Sequence, residues 1–388
     1  MANKKNIPEI RFKGFDDDWE ERKIKDICLI STGKSNTQDR IENGLYPFYV
    51  RSATIERSNR YLYDEEAVLT VGDGVGTGKV YHYVKGKFDL HQRVYRMFDF
   101  NNGVSGKYFY YYFSNNFYKR VMSMTAKTSV DSVRLDMIAD MLINYPILTE
   151  QEKISCYLDN LDKLITLHQN KYNKVVTLKK AMLEKMFPKN GEAVPEIRFK
   201  GFEGEWEKDE LGELTDVYDG THQTPVYTDS GVMFLSVENI KTLKSKKFIS
   251  KKAFEEEFKI FPKKGDVLMT RIGDIGTANV VESDEPKAYY VSLALLKQKD
   301  LDPYFLKESI FSETVKKDLW HRTLHIAFPK KINKNEIAKV SIPYPKSNEE
   351  QIQIGKYFNN LDKLISLHQK ELDKLKLMKK ACLEKMFV

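Results

Sequence analysis

From Gln151 to Phe187 the apolar positions advance by alternating steps of three and four: Ile154, Leu158, Leu161, Ile165, His168, Tyr172, Val175, Met182 and Met186, with one turn interrupted by Lys179. The stretch holds neither Gly nor Pro, and Pro188 ends it. The same pattern returns in Ile354, Phe358, Leu361, Ile365, His368, Leu372, Leu375, Cys382 and Met386, with Lys379 as the interruption. Such heptads predict two long helices, each burying one stripe against another helix. Two matched stripes in one chain predict pairing with each other. Elsewhere the pattern shortens to strand-like runs bounded by Gly, Asp or Lys, such as Tyr46–Val50, Ala67–Val71, Val232–Val237 and Asp266–Thr270. Helical patterns follow at about Gly106–Met124 and Pro303–Leu319. The aromatic residues Phe109, Tyr112, Phe113 and Phe117 fall at helical spacing and are expected in a core rather than on a base-stacking face.

The chain is written twice. Ten of the fourteen residues from Ile7 to Glu20 are identical to those from Val194 to Glu207, at an offset of 187, and Gly33 and Gly44 recur as Gly220 and Gly231. Tyr145-Pro146 and Glu150-Gln151 return as Tyr344-Pro345 and Glu350-Gln351. Leu161–Phe187 returns as Leu361–Phe387 at an offset of 200, with 17 of 27 residues identical. Each copy therefore has matching ends and a divergent middle.

Reach decides how the helices pair. A 37-residue helix is about 55 Å long, whereas the six residues 188–193 span at most roughly 20 Å. The second copy must start near the end of the first helix, which requires an antiparallel pair. The expected fold is α+β: two mixed α/β domains separated by an antiparallel two-helix coiled coil, with an internal pseudo-two-fold repeat. Domain one takes residues 1–149, the first long helix 150–187, domain two 188–345 and the second long helix 346–388. Leu158, Leu161, Ile165, His168 and Tyr172 should form the helix–helix interface with Phe358, Leu361, Ile365, His368 and Leu372. The symmetry also brings Val388 near Ile7. His168 and His368 would meet at mid-helix as a packed pair, and protonation near pH 6 would loosen them.

With 63 Lys+Arg against 56 Asp+Glu the net charge is +7. The two helical segments carry +2 (150–187) and +3 (346–388), leaving +2 for everything else. A polyanionic partner would be held modestly and with strong salt dependence. Three scattered cysteines exclude a disulfide scaffold or cysteine zinc site and suit a reducing compartment. Met1–Lys5 does not lead into a signal-peptide core, and no apolar stretch is long enough to cross a bilayer. Gly72–Lys79 resembles a phosphate loop but has Asp73 and Val80 where a Walker A needs Gly and Ser/Thr. It reads, like Arg271–Thr277, as a tight turn presenting a threonine. His321 and His325 would share a helical face, but Arg322 follows the first where the metalloprotease signature has Glu. Nothing argues for catalysis. Lysines crowd 241–252 and 330–334, and Arg51, Arg57 and Arg60 recur more sparsely in copy one.

Two variable domains, each opened by Pro-Glu-Ile-Arg-Phe-Lys-Gly-Phe and each followed by Tyr-Pro…Glu-Gln…Leu-Asp-Lys-Leu-Ile…Leu-His-Gln…Leu-Glu-Lys-Met-Phe, resemble the specificity subunit of type I restriction–modification systems. The resemblance implies a non-catalytic DNA-binding subunit working in the cytoplasm of a bacterium or archaeon. Two target-recognition domains would each read half of a bipartite double-stranded target, and the paired helices would set their spacing. Two methyltransferase subunits would dock on the helices, and restriction subunits would join them. S-adenosylmethionine, ATP and Mg2+ would belong to those partners, and adenine methylation after base flipping would be theirs. Reading needs polar side chains at base edges, so the expected readers lie beside strand ends and glycine turns. They are Arg51, Ser52, Thr77, Lys79, Gln92 and Arg93 in domain one, and Ser236, Asn239, Arg271, Thr277, His325, Lys330 and Lys331 in domain two. Arg271→Ala is expected to relax one half-site alone. Two other readings stay open: a stand-alone nucleic-acid-modifying enzyme, and a coiled-coil scaffold indifferent to DNA sequence.

Overall fold

A computed structural model describes residues 7–74, 76–124 and 132–388. Val75 of the glycine-rich run and the Met1–Lys5 opening lie outside them. The chain divides into two units, Met1–His168 with Glu371–Val388, and Gln169–Lys370. Two 38-residue helices, Leu148–Lys185 and Asn348–Lys385, therefore each contribute to both.

In the first unit a six-stranded sheet runs in the spatial order Leu29–Thr32, Val94–Phe98, Tyr63–Val71, Tyr81–Leu90, Tyr46–Tyr49, Ile55–Ser58. Neighbours are antiparallel, except that Tyr46–Tyr49 runs parallel to Tyr81–Leu90. The helix Gly106–Ser123 starts at Ser105, whose hydroxyl accepts from Tyr108 N, and it buries Phe109, Tyr112, Phe113 and Phe117 in the unit's core. The aromatic run is thus packing, as its spacing requires.

The second unit repeats this plan with a break. Thr215–Asp219, Leu293–Gln298, Val267–Ile272 and Asp274–Val280 form one sheet. Phe248–Ile249, Val232–Leu235 and Lys287–Tyr289 form another, again with one parallel contact. Where the first unit has one ten-residue strand, Tyr81–Leu90, the second has two pieces separated by residues 281–286. The predicted helix Pro303–Leu319 is two helices, Pro303–Phe311 and Glu313–His321. Ser312 between them is extended, accepting from Val315 N while donating to Ser309 O, a side-chain alternative to continuing the helix. The helix ends at His321 and His325 lies in the following loop, so the two histidines do not share a helical face.

The repeated residues turn out to be fasteners. A Cβ on Gly33 would lie 2.1 Å from Leu90 O, and on Gly220 2.4 Å from Tyr289 O, so each must be glycine for its strand to pass the parallel one. Arg11 gives Glu150 two hydrogen bonds of 2.7 and 2.8 Å, and Arg198 gives Glu350 the same pair. Gln151 Nε2 donates to Gly103 O and Pro146 O while its Oε1 accepts from Ser105 N. Gln351 repeats this with Pro345 O and Asp302 N. These contacts fix the start of each long helix to the domain before it.

Within the first unit the contacts run antiparallel. Ile10 N donates to Lys385 O near Arg11–Glu150, Tyr157 Oη donates to Met378 Sδ, and Lys379 pairs with Asp162. Leu158, Leu161 and Ile165 join the core that holds Leu375, Met386 and Phe387, and Leu372 is buried. Within the second unit Ile197 N donates to Lys185 O, Lys179 reaches Asp362 at 2.6 Å, and Phe358 and Leu361 pack with Met186 and Phe187. Tyr172 and Ile365 there are half-buried, as is His168 in the first unit and His368 in the second. The lysines that interrupt the apolar stripes are ion-pair partners. Burial pushes the Asp362 carboxyl up, but Lys307 and Lys179 hold it below the ordinary carboxylate range.

Candidate nucleic-acid interface

In the first unit three backbone bonds converge on the connection 91–93. His91 N donates to Tyr49 O at 3.0 Å, Gln92 N to Ser35 O at 2.8 Å, and Gly72 N to Arg93 O at 2.8 Å. They gather Arg51, Asp73 and Arg93 from three separate strand ends. Asp73 lies 3.4 Å from Arg51 Nη1 and 3.6 Å from Arg93 Nε, and both arginine side chains remain about half exposed or more (48% and 63%). One carboxylate orienting two guanidiniums leaves a net positive charge and N–H donors facing solvent, the chemistry that suits phosphates and guanine edges. His91 lies behind them, its Nδ1 accepting from Arg93 N. Burial, then the charge of Arg51, hold its pKa below the usual histidine value, which favours the neutral ring. Gln92 donates to Asn36 Oδ1 at 2.6 Å and is exposed. Lys79 lies over the Tyr118 ring at 4.9 Å, and Ser52 caps a turn by accepting from Thr54 N.

Thr77 is withdrawn from this surface. It is buried, and its hydroxyl donates to Gly74 O to close the glycine turn. Arg57 is likewise committed, donating to Gly44 O and Leu45 O. Spacing exposed neither Asp73 nor His91 as members of the cluster, because an acid and a histidine carry no DNA-binding signal of their own.

The second unit keeps the framework and changes the chemistry. Tyr290 N donates to Leu235 O as His91 N does to Tyr49 O, but Val237 and Ser292 stand where the first unit has Arg51 and Arg93, and Ser292 Oγ accepts from Val237 N. Ser236 and Asn239 bond each other in a capping box, and Asn239 Nδ2 donates to Lys244 O. Thr277 donates to Asp274 at 2.6 Å. Arg271 corrects the expectation most plainly: its side chain is 6% exposed, paired with Asp219, and donates through Nε to Ile332 O. It is a buried strut, and its loss would orphan Asp219 rather than relax one base preference. Besides the exposed lysines of 241–252, exposed basic groups of this unit lie in the loop after Glu313–His321. There Lys330 Nζ sits 4.5 Å over the Trp320 ring, His325 Nε2 is 2.9 Å from Trp320 O, and Lys331 is exposed. Among the described residues no group of three or more His, Cys, Asp or Glu is arranged to hold a metal, and no helix is long and apolar enough to cross a membrane.

Residues 16–177 and 203–377 each match the type I restriction modification DNA specificity domain. The chain belongs to that family. It is a type I restriction–modification specificity subunit, with the family domain present twice. The type I restriction enzyme MjaVIII specificity subunit of Methanocaldococcus jannaschii is 24% identical over an alignment of 405 residues, covering 97% of this chain and 93% of the relative. The EcoDI specificity subunit of Escherichia coli is 25% identical over 183 residues, 47% of this chain and 40% of that one. Among solved structures, the S subunit of a type I system from M. genitalium superimposes with a TM-score of 0.74 at 15% identity, covering 98% of this chain and 99% of its own. A chain from a study of complex assembly and conformational transition of the type I R-M system gives a TM-score of 0.51 at 16% identity, with 97% and 99% covered. The two structural likenesses show the same fold across nearly the whole chain.

Proposed function

We propose that this specificity subunit is the non-catalytic reader of a bipartite DNA target, each unit recognising one half. The observation that carries this is the repeat itself. One backbone framework occurs twice, and where it holds Arg51 and Arg93 in the first unit it holds Val237 and the buried Ser292 in the second, so equivalent positions present different chemistry to the two half-sites. Arg51, Arg93, Gln92 and Lys79 are the proposed readers of one half, and His325, Lys330 and Lys331 those of the other. Thr77, Arg271, Asn239 and Ser236 support them through the backbone.

Methyltransferase subunits are proposed to dock on the outer faces of the long helices. Leu164 and Leu167 in the first unit, and Leu364 and Leu367 in the second, are exposed away from the core positions Leu161 and Leu361. Apolar residues at the same repeat positions suit two copies of one partner. Restriction subunits would join through those partners. S-adenosylmethionine, ATP and Mg2+ are assigned to the partner chains, which would carry out the chemistry.

Co-expression with the cognate methyltransferase subunit, followed by genome-wide mapping of methylated adenines, tests the reading. A single bipartite motif is expected. Arg93→Ala should relax one half of that motif while leaving the other intact. Methylation without a motif would favour an indifferent scaffold, and methylation by the isolated chain would make it an enzyme.

A further inference from the structure

Beyond hydrogen-bonding readers, the second unit carries a bare apolar tip. The loop after Glu313–His321 is anchored at both stems: Leu324 N donates to Lys331 O at 2.8 Å, Gly273 N to Lys330 O at 2.8 Å, and Ile332 N to Arg271 O at 3.0 Å. Thr323 is buried and donates to Leu319 O at its base. Between these anchors Ile326 and Phe328 are 99% and 104% exposed, as open as in a free peptide. Floppy surface loops expose such side chains without consequence, but this tip rises from a pinned base. Its shoulders are cationic or aromatic: Lys330 lies over Trp320, whose ring is 4.2 Å from that of His325, and Lys331 is exposed beside them. From Leu319 to Asn335 there is no acidic residue.

The position in the fold bears on what meets this tip. Its stem is bridged to the turn after Val267–Ile272, by Ile272 with Lys331. In the first unit the corresponding turn after Tyr63–Val71 is bridged by Asp73 with Ser132, and Asp73 is the carboxylate that orients Arg51 and Arg93. Each unit thus presents this edge of its framework, one as paired arginines and the other as an apolar point beside two lysines.

We propose that Phe328, backed by Ile326, enters a base step of the half-site read by the second unit, from the minor groove, while Lys330 and Lys331 hold the flanking phosphates. Apolar wedges of this kind unstack a step and kink the duplex, and flanking cations compensate phosphates drawn together at the bend. Pyrimidine–purine steps deform most readily, so the wedge favours TA or CA/TG at the step it enters. Specificity then arises at a position with no hydrogen bond to a base. The inference rests on the DNA-reading role proposed above and names how one half-site is read.

The test uses the chain assembled with its methyltransferase subunits and duplexes carrying the mapped motif. 2-Aminopurine replaces single bases across the second unit's half-site, away from the methylated adenine. Specific binding by the wild type should raise fluorescence at one step and bend the duplex in a gel-phasing assay. Phe328→Ala should abolish both and weaken specific binding about tenfold or more, while Phe328→Trp retains them and methyltransferase association is unchanged. Specific binding without any fluorescent step, or an unchanged signal in Phe328→Ala, would overturn the wedge while leaving recognition intact. Loss of methyltransferase association in Phe328→Ala would overturn it in favour of a protein contact. If the wild-type complex shows no preference for a bipartite duplex, the recognition reading itself falls, and the wedge with it.

Discussion

Arg11 and Arg198 each give two N–H donors to a glutamate that is wholly shut from solvent. Taking away the arginine leaves Glu150 or Glu350 charged, buried and unpaired, so Arg11→Ala and Arg198→Ala should each destabilise their own unit by about 3–5 kcal/mol. Denaturant unfolding read from Trp19 in one unit and Trp206 in the other would separate the two effects. His82 and His91 titrate in the opposite sense to a salt-bridged histidine. Burial holds His82 and His91 below the usual histidine value, so the folded chain binds fewer protons than the unfolded one near pH 6. Their contribution is complete above about pH 6.5 and is lost as pH falls from there to the lowered folded value. Melting temperature should therefore drop between pH 7.5 and pH 5.5, and His82→Gln should flatten the drop if the ring is responsible. At this scale the sequence was legible where a residue repeats and opaque where it pairs. Arg271 looks like a base reader by type and by its place at a strand end. Only its neighbours Asp219 and Ile332, 52 and 61 residues away in sequence, show that it faces inward.

The two long helices were the most legible elements, because a sustained heptad leaves no strand alternative. Lys179 and Lys379, the apparent flaws in the stripe, specify its alignment. Lys179 lies between Glu308 and Asp362, and Lys379 meets Asp162. A shift of one heptad would leave Glu308, itself 1% exposed, without Lys179. Asp162→Lys should cost the first unit about 1 kcal/mol, since that pair is partly exposed, and adding Lys379→Asp should recover most of it in a thermal-melt double-mutant cycle. Asp362→Lys should cost more, because it places a third cation beside Lys179 and Lys307. The break at Ser312 escaped the pattern, since Pro303–Leu319 carries apolar residues on both sides of it. The exposed tip escaped too: Ile326 and Phe328 stand out only once the stems are seen to close beneath them. The acid-free run around it was the available signal.

For the molecule as a whole, antiparallel pairing placed Val388 near Ile7, and Ile10 N donating to Lys385 O agrees with it, but the packing of that helix end was not legible. Leu375, Met386 and Phe387 belong to the core of the first unit, with Phe387 packed on Tyr108 and Tyr112. Deleting 371–388 should therefore destabilise the N-terminal unit and spare Gln169–Lys370. Hydrogen exchange would then show protection lost in Gly106–Ser123 and retained in Val267–Ile272. What was hidden is which side chains Phe387 meets, because Tyr108 and Tyr112 lie in the divergent middle that the repeat does not cover.

That exchange of helix ends also sets an order on the ribosome. The second unit is a continuous stretch, complete once Lys370 has emerged, whereas the first must wait for Phe387. At usual synthesis rates the intervening two hundred residues take about 10–40 s. During that interval the nascent first unit carries Tyr108 and Leu158 without their final cover, so the portion translated earliest is the last to mature.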